Sequence, residues 1–168
     1  VDTGDIILIK ELPIDKDETG GGLFDKLAVI GAEAAVEALS QIEAGTVTRT
    51  PQNHDEATHV SMISKEFGEI DWNRPAVEIE RLIRGLNPWP SAYTNLDGKT
   101  FKIWKAAVVA ENSSYEAGQI AAITKNSMLV QTGEGQLELL EVQLEGKKRM
   151  ETDAFLRGYS VAAGTYLR

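Results

Sequence analysis

Residues 91–109 read SAYTNLDGKTFKIWKAAVV, and this stretch decides the fold. Asp97-Gly98 sits at its centre as a hairpin turn, because glycine tolerates the positive φ that such a turn needs. The flanking runs, 91–96 and 100–109, are short and bounded by turn residues, the signature of paired strands. The same texture continues downstream. Residues 118–124, 127–131 and 137–142 read as further strands, punctuated by Asn126-Ser127 and Gly133-Glu134-Gly135. Several short strands at regular spacing predict a small barrel or sandwich. A short helix over 152–157 follows, and 161–167 is read as a last strand.

Upstream of the hairpin the pattern is helical. Val77, Ile79, Leu82, Ile83 and Leu86 form a stripe that ends at Asn87-Pro88, with Pro75 in a tolerant first-turn position and Asn73 as the expected N-cap. Ile70 and Trp72 open this module. Residues 46–68 show no sustained apolar period and carry Pro51, Asn53, His54 and His59, so they read as a linker at a domain boundary. Before them, residues 6–14 (IILIKELPI) give a strand signal stopped by Pro13, and 15–22 a loop. A long helix then starts near Thr19, carries Leu23, Leu27, Ile30 and Ala34 at helical spacing and stops near Gly45. One strand cannot satisfy its own edges, so this first piece is expected to need neighbours. The organisation is therefore 1–45, linker 46–68 and second module 69–168, in an α+β chain.

Composition narrows the chemistry. Hydrophobic residues make up 42% of the 168, enough to bury a core, and no apolar run approaches the roughly 20 residues of a membrane span. The absence of cysteine excludes disulfides, thiolate metal sites and cysteine nucleophiles, and fits a reducing cytoplasm. Val1 is no initiator methionine and opens no signal peptide, so the chain is expected to be a fragment of something longer. The net charge of −9 argues against a nucleic-acid partner only until its distribution is examined. Residues 1–67 carry five Lys/Arg against thirteen Asp/Glu, whereas 68–168 carry twelve against thirteen and are close to neutral. The second module can therefore concentrate cations locally. His54 and His59 lie five apart with no third histidine, and solvated linker residues are the expected reading, with no metal assigned. Trp104 is expected in the core of its strand, and Trp89, pinned between Pro88 and Pro90, in a rigid turn that docks the helix on the barrel.

Five separated blocks carry a resemblance that spans essentially the whole chain. The run Ile83-Arg84-Gly85-Leu86-Asn87-Pro88-Trp89-Pro90-Ser91-Ala92-Tyr93-Thr94 resembles the opening of the C-terminal domain of methionyl-tRNA formyltransferases, and Gly98-Lys99-Thr100-Phe101-Lys102-Ile103-Trp104 resembles its next strand. Ile63-Ser64-Lys65-Glu66 with Ile70-Asp71-Trp72 is similar to the family's linker exit. Glu145-Gly146-Lys147-Lys148-Arg149-Met150 and Phe155-Leu156-Arg157-Gly158 are similar to its C-terminal signature, and Asp2-Thr3-Gly4-Asp5-Ile6 to the end of its catalytic core. One departure is Met62, where many members carry a lysine.

The resemblance implies a concrete picture. Residues 1–45 would be the terminal strand, loop and helix of a Rossmann-like formyltransferase domain, and 69–168 an open barrel of the oligonucleotide-binding (OB) type. The full enzyme would be monomeric and cytoplasmic. It would move a formyl group from 10-formyltetrahydrofolate to the α-amine of methionyl initiator tRNA. Asp2 matches the catalytic aspartate that orients an imidazole; the partner Asn and His, with most of the folate pocket, lie in an earlier segment, so this chain alone is expected to be inactive. Lys65, Arg84, Lys99, Lys102, Lys147, Lys148 and Arg149 would contact tRNA, with affinity falling as salt rises. The same scaffold also serves sugar-nucleotide formyltransferases and formyltetrahydrofolate dehydrogenases, which bind no tRNA; a stand-alone RNA-binding barrel is the non-enzymatic alternative.

Overall fold

The computed structural model describes residues 3–168. The chain divides into two compact units. One holds residues up to Glu18 together with Gly22–Met62; the other holds Thr19–Gly21 and Ile63–Arg168.

The first unit is dominated by helix α1, Gly20–Ala44. Its stop follows from Gly45, whose φ of +67° lets the chain reverse. The Gly45 and Thr46 amides donate to the carbonyls of Ile42 and Gln41, which closes the helix end with its own backbone. No residue of α1 is buried. Phe24, Val36 and Leu39 are exposed despite being apolar. The strand expected over 6–14 does not form. Ile6 makes one antiparallel bridge to Thr50, through two backbone hydrogen bonds of 2.8 and 2.9 Å, and the ladder goes no further. The physical reason is the one already noted: an isoleucine-rich segment has β propensity, but a ladder needs a partner strand, and this unit offers only Thr50. Residues 46–62 contain one short 3-10 turn, His54–Glu56, whose Asp55 amide donates to the Asn53 side chain.

The second unit has its own core. A 3-10 turn at Lys65–Gly68 leads to helix α2, Ala76–Gly85. Six strands follow: β1 (Ala92–Leu96), β2 (Lys99–Val109), β3 (Ile120–Ile123), β4 (Met128–Gln131), β5 (Gln136–Leu144) and β6 (Met150–Glu151). Helix α3, Thr152–Gly158, closes the order. The sheet is antiparallel, ordered β1-β2-β5-β4-β3 with β6 beside β5. It is open: β1 and β3 do not pair.

Helix α2 is amphipathic at the helical period. Ala76, Ile79 and Ile83 are buried while Val77 and Arg81 face out. Its N-cap is Pro75 rather than Asn73. Asn73 instead donates both its backbone and side-chain N–H groups to Asp71, at 3.0 Å each, so a turn claims the side chain the helix was expected to use. The core joins this helix face to Phe101 and Ile103 of β2, Leu137, Leu139 and Val142 of β5, and Phe155 of α3.

The end of the chain differs from the strand expected over 161–167. It makes an isolated bridge, Gln119↔Tyr166, because Gly164 at φ +86° turns the backbone inside the segment. The tail still occupies both free edges of the sheet. Leu167 donates to Gly118 and Ile120 donates to Thr165 on the β3 side, while Asn95 and Arg168 exchange two backbone bonds on the β1 side. Leu167 itself is 2% exposed.

A buried amide locks the loop before β3. The Gln131 side chain accepts from the backbone and hydroxyl of Ser113, at 2.7 and 2.8 Å, and donates to Asn112 at 3.0 Å. Asn112 in turn accepts from the Gly135 amide. Gly135 is held at φ +75°, and a Cβ there would lie 2.8 Å from the Val109 carbonyl, so only glycine suits the turn.

Candidate nucleic-acid interface

The outer face of the sheet is set by strand periodicity. In β2, Phe101 and Ile103 point into the core, so Lys102 and Trp104 point the other way and are half-buried. Register places Tyr93 of β1 and Gln143 of β5 on either side of Lys102. Trp104 is therefore not the core residue expected from the apolar run around it. Its indole N–H donates to Gln143 Oε1 at 3.2 Å, and its ring lies under two cations, Lys102 at 5.7 Å and Arg149 at 4.6 Å from the ring centre. Alternation along β2 was the signal that could have revealed this.

The basic cluster at 147–149 lies on the turn between β5 and β6. Gly146 at φ +75° reverses the chain, the Lys147 amide donates to Leu144, and the Gln143 side chain donates to the Lys147 carbonyl. Glu145 caps the adjoining strand by accepting the Thr100 amide at 3.0 Å. All three basic residues are exposed, but they do not serve alike. Arg149 is held by Glu141 in a two-pronged pair at 2.5 Å, which raises its guanidinium pKa further above an already high ordinary value. Lys147 and Lys148 form no ion pair among the described residues.

The other basic residues singled out in sequence fall at different places. Lys99 is exposed just after the Asp97-Gly98 turn, and neither it nor Lys102 is ion-paired among the described residues. Lys65 is exposed at the start of the 3-10 turn, which runs beside β1 through the Ile70 amide and the Tyr93 carbonyl, 2.9 Å apart. Arg84 is partly buried and committed to Glu80, one helical turn back in α2. The structure thus brings Lys65 and Lys102 together, lining one groove of about 420 Å³ with Trp89, Pro90, Tyr93 and Thr100. Sequence reasoning placed Trp89 in a docking turn; the turn is there, but the indole is 59% exposed at the groove. Asp2, the candidate catalytic carboxylate, lies outside the described residues.

The folate donor finds no fitting site in the first unit. The groove of about 760 Å³ lined by residues 10–14 with Leu23 and Leu27 is open, and Lys10 at its edge is paired with Glu37. None of the described residues of that unit up to Met62 is buried, so nothing encloses a flat heteroaromatic ring or presents it with desolvated polar partners. Among the described residues, His54 and His59 gather no third ligand-type side chain, and no helix is long and apolar enough to cross a membrane.

The second unit packs the amphipathic helix α2 on an open antiparallel sheet. Residues 62–160 match the family described as formyl transferase, C-terminal domain, and the chain belongs to that family. Its relatives are more particular. Over 99% of its length it is 61% identical to a methionyl-tRNA formyltransferase of Agathobacter rectalis, covering 54% of that protein. It is 47% identical, again over 99%, to that of Lachnospira eligens, covering 55%. The chain therefore spans about half the length of the curated relatives it matches. In fold it is similar to HypX from Aquifex aeolicus, solved in complex with tetrahydrofolic acid, at a TM-score of 0.63 and 19% identity over 98% of this chain and 32% of that one.

Proposed function

We propose that this chain is the tRNA-docking part of a methionyl-tRNA formyltransferase, which transfers a formyl group from 10-formyltetrahydrofolate to the methionyl α-amine of initiator tRNA. The observation that carries the reading is that the second unit holds Lys102 on the outer face of its sheet, Lys99 beside the hairpin turn and Lys147 and Lys148 on the turn between β5 and β6, all without ion pairs among the described residues, in a chain whose net charge is −9. Such cations exchange their counterions for phosphates when RNA binds. Identity of 61% and 47% to methionyl-tRNA formyltransferases favours this substrate over a sugar nucleotide.

Within this reading the second unit is an OB-type barrel. The open antiparallel sheet, capped by α2 and with its two free edges taken up by the C-terminal tail, supports that description. Residues 46–68 act as linker, and residues before them belong to the catalytic domain. Asp2 would orient an imidazole supplied from outside this chain, which therefore transfers no formyl group by itself. The whole enzyme works as a monomer in the cytoplasm. The test is a titration of the purified chain with initiator tRNA and an elongator tRNA at rising salt. Binding of the initiator whose affinity falls steeply with salt is the expected result, and affinity that does not respond to salt contradicts it.

A further inference from the structure

The groove between the Lys65 turn and β2 has a composition that duplex RNA cannot use. Its floor and walls are Trp89, Pro90, Tyr93 and Thr100, with Lys65 and Lys102 at its margins. At about 420 Å³ it falls within the roughly 300–1,000 Å³ of small-ligand sites. Trp89 leaves 59% of its surface in water, although it is the largest apolar side chain in the protein's repertoire. The ring sits on a rigid mount: Pro88 and Pro90 flank it, and the Ser91 amide just beyond donates to the Leu86 carbonyl at 2.9 Å. The approach of the Lys65 turn is set by Gly68, where any Cβ would run into the Ser91 carbonyl. A second groove of about 320 Å³, lined by Gln143, Glu145 and Gly146, shares Thr100 and Lys102 with the first, so the surface continues toward the 145–149 turn.

We propose that this groove holds unpaired nucleotides of the bound RNA, with a base stacked on Trp89 and the flanking phosphates on Lys65 and Lys102. The proposal rests on the tRNA-docking reading and says which kind of RNA segment meets this face. In a paired stem both faces of each base are covered by their neighbours, so an indole has nothing to stack on. An unpaired base offers its π-face, and stacking of this sort tolerates any sequence. Proline-rich peptides also use aromatic grooves. They bring no charge to match two lysines that have no ion pair among the described residues, and phosphates do.

The experiment compares the full chain with its Trp89→Ala and Trp89→Phe variants. Three probes are labelled: a 12-nucleotide single-stranded RNA, a 12-base-pair RNA duplex and a proline-rich decapeptide. Trp89→Ala is expected to weaken single-strand binding roughly 5- to 100-fold, the scale of one lost base–aromatic stack. Trp89→Phe keeps most of that binding, and duplex binding stays within about twofold for both variants, as phosphate contacts alone require. If Trp89→Ala leaves single-strand binding unchanged, or weakens duplex and single strand alike, the groove is not a stacking site, while the docking reading stands on its salt response. Decapeptide binding that Trp89→Ala abolishes while single-strand RNA binding is unchanged would overturn the proposal in favour of a peptide groove. If none of the RNAs nor initiator tRNA binds, the docking reading fails first and this one falls with it.

Discussion

Helix α1 and helix α2 are both built from apolar stripes, yet they meet opposite fates. Over its length Gly20–Ala44, α1 buries no residue, and Phe24, Val36, Leu39 and Ile42 all stand in solvent. In ten residues α2 buries Ala76, Ile79 and Ile83 against a sheet that wraps them. The difference lies in what else the chain provides. Around α2 a six-stranded sheet supplies a matching apolar face; in the unit of α1 the only β pairing among the described residues is a bridge between Ile6 and Thr50. An amphipathic pattern states that a face wants to be covered, and it is the rest of the chain that decides whether it is.

The sharpest way to break this comparison is to truncate one apolar side chain in each region. Phe101 is fully buried, its ring tilted by 43° against that of Phe155 with centres 5.2 Å apart, so Phe101→Ala should cost about 3–5 kcal/mol. Val36→Ala in α1 should stay within about 0.5 kcal/mol. Tryptophan emission follows the second unit alone, since Trp72, Trp89 and Trp104 all lie there. Helical ellipticity is weighted toward α1. The two probes should therefore give different urea transitions, and coincident ones would mean that α1 unfolds together with the sheet.

A middle-sized effect tests how the second unit holds its loops. Gln131→Ala removes the side chain that satisfies Ser113 and Asn112, and should cost about 1–3 kcal/mol in the same unfolding assay. A smaller effect on stability but a clear one on binding is expected at the 145–149 turn. The double change Lys147→Ala with Lys148→Ala should leave unfolding unaltered and reduce the slope of log affinity against log salt by about 1–2, given roughly 0.9 per phosphate contact. The smallest is a pH response. Arg157 beside Asp153 holds that carboxyl below its ordinary value near 3.8, so the pair contributes stability above that value and loses it as pH falls through the lowered one. Asp153→Asn should flatten the acid limb of the stability profile slightly, and an unchanged limb would show the pair to be inert.

Much of this molecule was legible in its residues. The hairpin at Asp97-Gly98 and the helix at 76–85 follow from local rules, because turn chemistry and apolar period act within a few residues. The strand over 6–14 was not obtained, since a strand is a property of two segments and only one is present. Trp104 was misjudged because its neighbours are apolar, while strand alternation puts it opposite them beside Lys102 and Arg149. Arg84 and Arg149 could be named as cations from sequence, but their partners Glu80 and Glu141 emerge only from the geometry. Asp2 carries the resemblance to a catalytic aspartate, and its place lies outside the described residues.

The most direct measurement is lysine acetylation footprinting of the intact chain, with and without saturating initiator tRNA. Lys102, Lys147 and Lys148 should be shielded from acetylation, while Lys16, exposed in the first unit, should react at the same rate in both samples. Shielding of Lys16 without any change at Lys102, Lys147 and Lys148 would contradict an RNA-binding face on the second unit.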